Sequence, residues 1–338
     1  MYGLDADLFM LSLTTHCPKF YLLREDQFAT VWDDTLFYKV DIGKLRQELV
    51  EKWGDMFTTE SRLIDDFVFL CFFTGNDFLH ALPSCHNLFN DILFLMDTHQ
   101  RIMNGEYLTD GSKLNLQPLL KFLKKISKTE SASISQQFYR QNFPNVTLNS
   151  SLIDVRNPQK GICFGKYRNL YYKKAGVNSY NQKQVNDFCI HYIQGLDWVL
   201  NYYHSRPKNW RWFYPYHYTP LVRDIIYCIE NCRLSHVSNI EHPPILPFQQ
   251  LLCVVPPKSK NLLPPHLRPL YNGKLKKYYP EDYELDYEGK HRDWEAIAML
   301  PFVSLDEIIE EYEKASEKYG KKMIRNMWGK NQRFVKKM

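Results

Sequence analysis

Two aspartates, Asp5 and Asp7 in YGLDADLFML, interrupt an apolar run near the start of the sequence. On an extended strand, residues two apart leave the same face. Two carboxylates on one apolar surface repel each other and are poorly solvated. A hard divalent cation, Mg²⁺ or Mn²⁺, relieves both problems through oxygen ligation. A third carboxylate, Asp77, stands in FFTGNDFL, where Gly75 and Asn76 turn the chain after an apolar stretch. Two readings are open for each aspartate taken singly: a metal ligand, or a residue that starts a turn, as Asp does beside Gly and Asn. Cys228, Cys232 and His236 offer softer ligands on one helical face. No second ligand group accompanies them, so packing outweighs zinc there.

The elements that must carry these residues follow from periodicity. Tyr2 to Leu13 reads as a buried strand leading to a turn at Pro18, and Phe20–Leu23 and Leu36–Val40 are short β-prone runs. Helical spacing then takes over at Leu45, Leu49 and Trp53, and Arg62 to Phe73 reads as a buried helix stopping at Gly75. Further helices are predicted over Leu88–Met103, Leu116–Ile126, Val185–Tyr203 and Pro220–Cys232. From Ser127 to about Pro158 the texture turns to Ser, Thr, Gln and Asn, as a linker or surface insertion. Prolines between Pro243 and Pro280 predict short helices alternating with loops. Trp294–Val303 reads as a strand, and Ser304 with Glu307 forms a capping box for a helix running to Gly320.

The bulk numbers bound the class. The chain has 338 residues, 44% hydrophobic and 24% charged, which is globular and large enough for two domains. A net charge of +5 permits a nucleic-acid partner without demanding one. Eight cysteines with no C-x-x-C pair read as reduced thiols of an intracellular protein, cytoplasmic and nuclear being indistinguishable. The longest apolar run, Phe67 to Phe73, is too short to span a bilayer, so no membrane is expected. Aromatics reach 15% and gather at Trp210, Trp212, Phe213, Tyr214, Tyr216, His217 and Tyr218. A rigid aromatic core is the favoured reading of that cluster; stacking on nucleic-acid bases is the other. The lysines of GKLKK and of the basic C-terminal residues read mostly as solvated surface, a few as a phosphate track.

Taken together the motifs resemble one family. YGLDADLFMLSLTTHCPKFYLLRE is similar to the Y-G-x-D-A-D-L-I…H-x-P…L-R-E stretch of the XRN family of 5′→3′ exoribonucleases, and IDDFVFLCFFTGNDFLHALP to its D-D-F-V-F…G-N-D-F-L-P segment. The resemblance continues through GLDWVLNYYHSRPKNWRWFYPYHYTP, PFQQLLCVVPPKSKNLLP, YYPEDYELDYEGK and WEAIAMLPFV, in the family's order. It implies an α/β fold: a partial parallel-sheet nuclease domain of the flap-endonuclease or PIN-like type, followed by a mainly α-helical domain. The implied division is residues 1–126, a linker or insertion at 127–162, and a helical domain at 163–338.

The resemblance also implies the chemistry, Mg²⁺- or Mn²⁺-dependent hydrolysis of RNA carrying a 5′-monophosphate end. Asp5, Asp7 and Asp77 correspond to metal-holding carboxylates. Asp65 and Asp66 read first as helix-start residues and second, with Asn76, as outer-shell groups. For a base-stacking tryptophan, Trp294 comes first and Trp212 second. His80 departs from the pattern, standing where the family has proline. The family's other metal carboxylates and its 5′-phosphate pocket belong to an N-terminal half absent from these residues. The expectation is therefore a split or partial enzyme completed by a separate polypeptide docked on the sheet edge near Tyr2; the alternative is an inactive RNA-binding or scaffolding remnant.

Overall fold

The computed structural model describes the chain except for residues 27–36, 56–57, 140–160, 235–239, 288–295 and 318–338. The chain divides into two compact units. The first is formed by residues 1–207, 213–240 and 287–295, the second by residues 208–212, 241–286 and 296 onward.

The first unit is predominantly helical. Its elements are α1 (Asp7–Leu13), β1 (Tyr21–Glu25), β2 (Phe37–Asp41), α2 (Ile42–Trp53), α3 (Glu60–Cys71), α4 (Leu88–Met103), β3 (Thr109–Asp110), β4 (Lys113–Leu114), α5 (Leu116–Tyr139), α6 (Phe164–Lys174), α7 (Gln182–His204) and α8 (Val222–Asn231). The core runs along α3, whose residues Leu63 to Cys71 are all buried, Asp65 and Asp66 among them. Side-chain caps fix several starts: Asp41 accepts from Lys44 N, Asn87 from Asn90 N and Asn181 from Gln184 N.

Three expectations change. The Tyr2–Leu13 segment is not one strand: Asp7 to Leu13 is helix α1, because a short apolar run is equally compatible with either element. Asp5 and Asp7 therefore do not share a strand face. The Ser/Thr/Gln-rich texture from Ser127 is helical as far as Tyr139, the end of α5. A large parallel sheet is not seen among the described residues, where strands pair as antiparallel ribbons, β1 with β2 and β3 with β4. Parallel contacts are isolated bridges: in the first unit Tyr2↔Leu23, where Leu23 N donates to Met1 O at 2.8 Å and Gly3 N to Leu23 O at 3.1 Å, and in the second Asn209↔His242.

The second unit answers the proline-rich sequence with α9 (Pro247–Val254), 3₁₀ turns at Pro257–Leu262, Arg268–Asn272 and Lys274–Tyr278, and the ribbon of β5 (Leu285–Asp286) with β6 (Ile297–Ala298). The capping serine Ser304 accepts from Glu307 N and opens α10 (Leu305–Ser316). Ile308 and Tyr312 of α10 pack with Leu252, Leu267, Tyr271 and Leu275 to form a core. Lys274 and Lys277 of the GKLKK run pair with Glu311 and Glu307 of α10, which agrees with reading these lysines as surface residues.

A buried acid joins α5 to α8. Glu130 Oε1 accepts from Val222 N at 2.6 Å, at the start of α8. Burial pushes its carboxyl up to about 7, against the pull of the Val222 and Arg223 backbone N–H groups and the Arg223 charge, with Asp224 adding to the rise. A folded-state value above the unfolded one means the stability Glu130 contributes is present in acid and is lost as pH rises through about 7. The stability of the wild type relative to Glu130→Gln should fall by about 2–3 kcal/mol between pH 5 and pH 8. Denaturant unfolding at the two pH values measures that difference.

Candidate functional site

The D-A-D segment is a helix start. Asp5 Oδ1 accepts from Asp7 N at 3.1 Å, closing a local turn that places Asp7 in the first turn of α1. Arg24, from the end of β1, holds this entry: Nη1 donates to Asp5 O at 3.0 Å, Nη2 donates to Leu4 O, and the guanidinium lies over Phe9. Asp5 is left exposed and Asp7 half-buried.

Asp77 comes from the other end of the α3 core. After Cys71 the chain tightens into a 3₁₀ turn, Phe72–Thr74, and reverses at Gly75. Gly75 has φ +95°, and a Cβ there would meet Ala81 N at 3.0 Å, so both conformation and space select glycine. Asn76 Oδ1 then accepts from Phe78 N and Leu79 N, both at 2.9 Å. Its carbonyl thus shapes the loop, and its buried Nδ2 has no hydrogen-bond partner. Asp77 is exposed at the tip. His80, the departure from the family pattern, is a neutral ring: burial and the neighbouring His217 lower it to about 4.

These two arms bring Asp5, Asp7 and Asp77 within electrostatic reach of one another. Burial raises the Asp7 carboxyl; a hydrogen bond from Tyr203 opposes the rise, and the charges of Asp77 and Asp5 add to it. The negative charge at Asp7 is thus under-compensated by the protein. An all-oxygen donor set suits Mg²⁺ or Mn²⁺, but among the described residues the carboxylates of Asp5, Asp7 and Asp77 are not a group whose ligand atoms all lie within 4.8 Å of one another; His16, Asp65 and His204 are.

The paired acids of the D-D motif lie elsewhere. α3 begins at Glu60 after Thr59, so Asp65 and Asp66 are mid-helix and buried, not helix-start residues. Asp66 is fully committed: it accepts from His99 Nε2 at 2.7 Å, Leu108 N at 2.7 Å, Thr109 N at 2.8 Å and Thr109 Oγ1 at 2.7 Å. Asp65 Oδ1 faces His16 Nε2 at 2.9 Å and His204 Nε2 at 3.7 Å. Burial pushes the Asp65 carboxyl up, against the pull of His16, and lowers His204 to about 4.

His16, Asp65 and His204 lie close enough to share a metal ion, but hydrogen bonding argues otherwise. Arg46 Nη1 sits 3.0 Å from His16 Nδ1. A guanidinium only donates, so Nδ1 must accept and the ring proton lies on Nε2, aimed at Asp65. A metal at Nε2 would require displacing that proton while Arg46 occupies the other nitrogen. The cluster joins the turn after α1 to α3 and α7, and within it Asp65 Oδ1 and His204 Nε2 are buried without a hydrogen-bond partner.

The aromatic cluster divides between the units. Tyr214 and Tyr218 are buried in the first, where the Tyr214 hydroxyl donates to Tyr218 O at 2.8 Å and its ring meets Tyr192 edge-on. That is the core role. Trp212, half-buried, belongs to the second unit. Trp294 and His236 lie outside the described residues. Burial pushes the Cys228 thiol up to about 12, with Cys232 adding to the shift, which disfavours the thiolate that zinc needs.

Comparison with known proteins follows the same residues. The family described as "Xrn1 helical domain" matches residues 57–160 and 162–338, and the one described as "XRN 5'-3' exonuclease N-terminus" matches residues 1–26. The chain is 29% identical to 5'-3' exoribonuclease 1 of Homo sapiens over 93% of its own length and 22% of that protein. It is 24% identical to 5'-3' exoribonuclease 1 of Saccharomyces cerevisiae, over 98% of this chain and 31% of the relative. Against 5'-3' exoribonuclease 2 of Arabidopsis thaliana the figures are 26% identity, 92% of this chain and 44% of the relative. The chain thus spans less than half the length of each of these relatives. No helix among the described residues is long and apolar enough to cross a membrane.

Proposed function

Because the chain belongs to the XRN family of 5′→3′ exoribonucleases, we propose that it takes part in metal-dependent hydrolysis of RNA from a 5′-monophosphate end. The observation that carries this reading is the family match over most of the chain; it is supported by Asp5, Asp7 and Asp77 lying near enough for the charges of Asp77 and Asp5 to raise the Asp7 carboxyl, after burial. A bound Mg²⁺ or Mn²⁺ supplies an activated water and a counter-charge for the leaving oxygen. The protein's part is to present three oxygen donors on a rigid base, while Arg24 holds the Leu4 and Asp5 carbonyls.

Three carboxylates suit one cation better than two closely spaced ones. We therefore place the remaining acidic groups on a further polypeptide segment, separate or covalently joined. The surface suited to receive it is the Tyr2 edge. Parallel pairing of Tyr2 with Leu23 supports assigning this edge to a parallel nuclease sheet, and Tyr2, Leu23 and Phe37 are exposed there. A second reading, an RNA-binding scaffold without hydrolysis, is favoured by the same shortage of acidic groups.

Incubation with 5′-monophosphorylated RNA and Mg²⁺ separates the two. Digestion by the chain together with a polypeptide bearing the complementary acidic groups, and not by the chain alone, supports the partial enzyme. RNA binding without digestion in either mixture supports the scaffold.

A further inference from the structure

Helix α6 ends at Lys174, and Gly176, at φ +73°, turns the chain back. Val177 anchors the return: it is buried, and its N–H donates to Tyr172 O at 2.8 Å. The loop that follows is braced from both sides before Asn181 caps α7. Arg168, held by Asp224 at 2.9 and 3.0 Å, donates to Ser179 O at 3.0 Å. Asn178 N donates to Gln184 Oε1 at 2.8 Å, and Asn178 Oδ1 accepts from Tyr180 N at 3.0 Å. Ser179 Oγ donates to Asn169 Oδ1 at 2.7 Å, and Asn169 Nδ2 donates to the Tyr180 hydroxyl at 2.6 Å. The hydroxyl is thus pinned to α6, yet Tyr180 is 83% exposed. Beside it lies an open groove of about 490 Å³, lined by Leu170, Lys173 and Gln184 together with this loop.

A single exposed aromatic is ordinary; this one comes with a groove whose chemistry is one-sided. None of the residues lining the groove is acidic. Lys173 makes no ion pair among the described residues, and the exposed Lys166 lies two turns earlier on the same side of α6. A pinned aromatic ring, amide groups and an uncompensated cation suit an anion that carries a flat ring. The volume falls within the roughly 300–1,000 Å³ of small-ligand sites. We propose that this groove holds one nucleotide of a single-stranded RNA, with the base stacked on Tyr180 and the phosphate at Lys173. The proposal rests on RNA being the partner, as in the reading above, and not on the metal site. The groove is built from α6, α7 and the loop between them, whereas Asp5, Asp7 and Asp77 come from α1 and the Gly75 turn. It holds the strand and takes no part in hydrolysis. Stacking accepts any base, so the contact adds affinity without sequence preference.

The test is fluorescence anisotropy of a short 5′-labelled oligouridine titrated with the full chain in EDTA, repeated between about 50 and 200 mM salt. Thermal unfolding of each variant accompanies it. Tyr180→Ala should weaken binding by about 5–150-fold and leave the salt dependence unchanged, because a stacked base releases no counterion. Lys173→Gln should lower the slope of log affinity against log salt by about 0.7, the share of one phosphate on a single strand. Both side chains are exposed, so both variants should unfold near the wild-type temperature. Wild-type affinity and slope in both variants would overturn the groove as an RNA subsite and leave RNA binding elsewhere standing. Weakened binding by Tyr180→Ala that tracks a lowered unfolding temperature, with an unchanged slope in Lys173→Gln, would assign the effect to loop packing and also overturn it. If the wild type does not bind the oligouridine, the RNA reading falls and the inference falls with it.

Discussion

Replacing Asp66 with alanine is expected to lower stability by roughly 3–5 kcal/mol, the largest effect of any single polar substitution proposed for this chain. The carboxylate is fully buried and accepts from His99 Nε2, Leu108 N, Thr109 N and Thr109 Oγ1. Those donors come from α4 and from the β3 segment, so one side chain joins three pieces of the first unit. Alanine would strand all of them in a place water does not reach, and each stranded donor costs about 1–3 kcal/mol before relaxation. Asp66→Asn keeps the volume but turns an NH₂ toward donors, so it should be nearly as harmful. Against a typical total of about 5–15 kcal/mol, either change leaves the unit marginal. Denaturant unfolding checks this; a loss below about 1 kcal/mol would show that the donors find other partners.

Neutralising Asp7 should do the opposite to the fold while abolishing function. Burial and the charges of Asp77 and Asp5 raise its carboxyl in the folded state. A raised value means the stability Asp7 contributes is present in acid and is lost as pH rises through it, so at neutral pH the ionised group is a burden on the metal-free protein. Asp7→Asn removes that burden and keeps the side chain's size. The metal-free variant should unfold at the same temperature or slightly higher than wild type. Mn²⁺ binding and any RNA digestion should fall by more than the hundredfold that loss of an outer partner would give. Asp77→Ala should lose digestion in the same way without this gain, since Asp77 is exposed at a loop tip. A site residue whose removal stabilises the fold is what a functional compromise between activity and stability looks like. A destabilised Asp7→Asn with intact Mn²⁺ binding would instead make Asp7 a structural cap.

The sequence spoke most clearly where the pattern was local. α4 runs from Leu88 to Met103 as its periodicity predicts, Ser304 caps α10, and prolines break the second unit into 3₁₀ turns. Gly75 and Asn76 announced the turn that presents Asp77. The D-A-D segment misled because six apolar or small residues fit a strand or a helix equally, and the deciding bond, Asp5 to the Asp7 backbone, leaves no periodic trace. Asp65 and Asp66 misled in a related way: paired acids suggest a helix start, yet both are buried mid-helix, Asp66 bonded to His99 and to backbone from distant segments and Asp65 facing His16. Arg24 was not legible as a residue of the D-A-D entry. Its partners, the Leu4 and Asp5 carbonyls, lie about 20 positions away, and only the fold brings them together. The R of the L-R-E stretch was in view, but nothing local pointed it at the Leu4 and Asp5 carbonyls.

The central claim is that carboxylates from α1 and from the Gly75 turn converge on one cation, while the neighbouring histidine cluster does not. Anomalous X-ray scattering from crystals of the full chain grown with Mn²⁺ tests it most directly. The expected result is an anomalous peak bounded by Asp5, Asp7 and Asp77, missing in Asp7→Asn crystals grown the same way. A peak bounded instead by His16, Asp65 and His204, or no peak near Asp77, would contradict it.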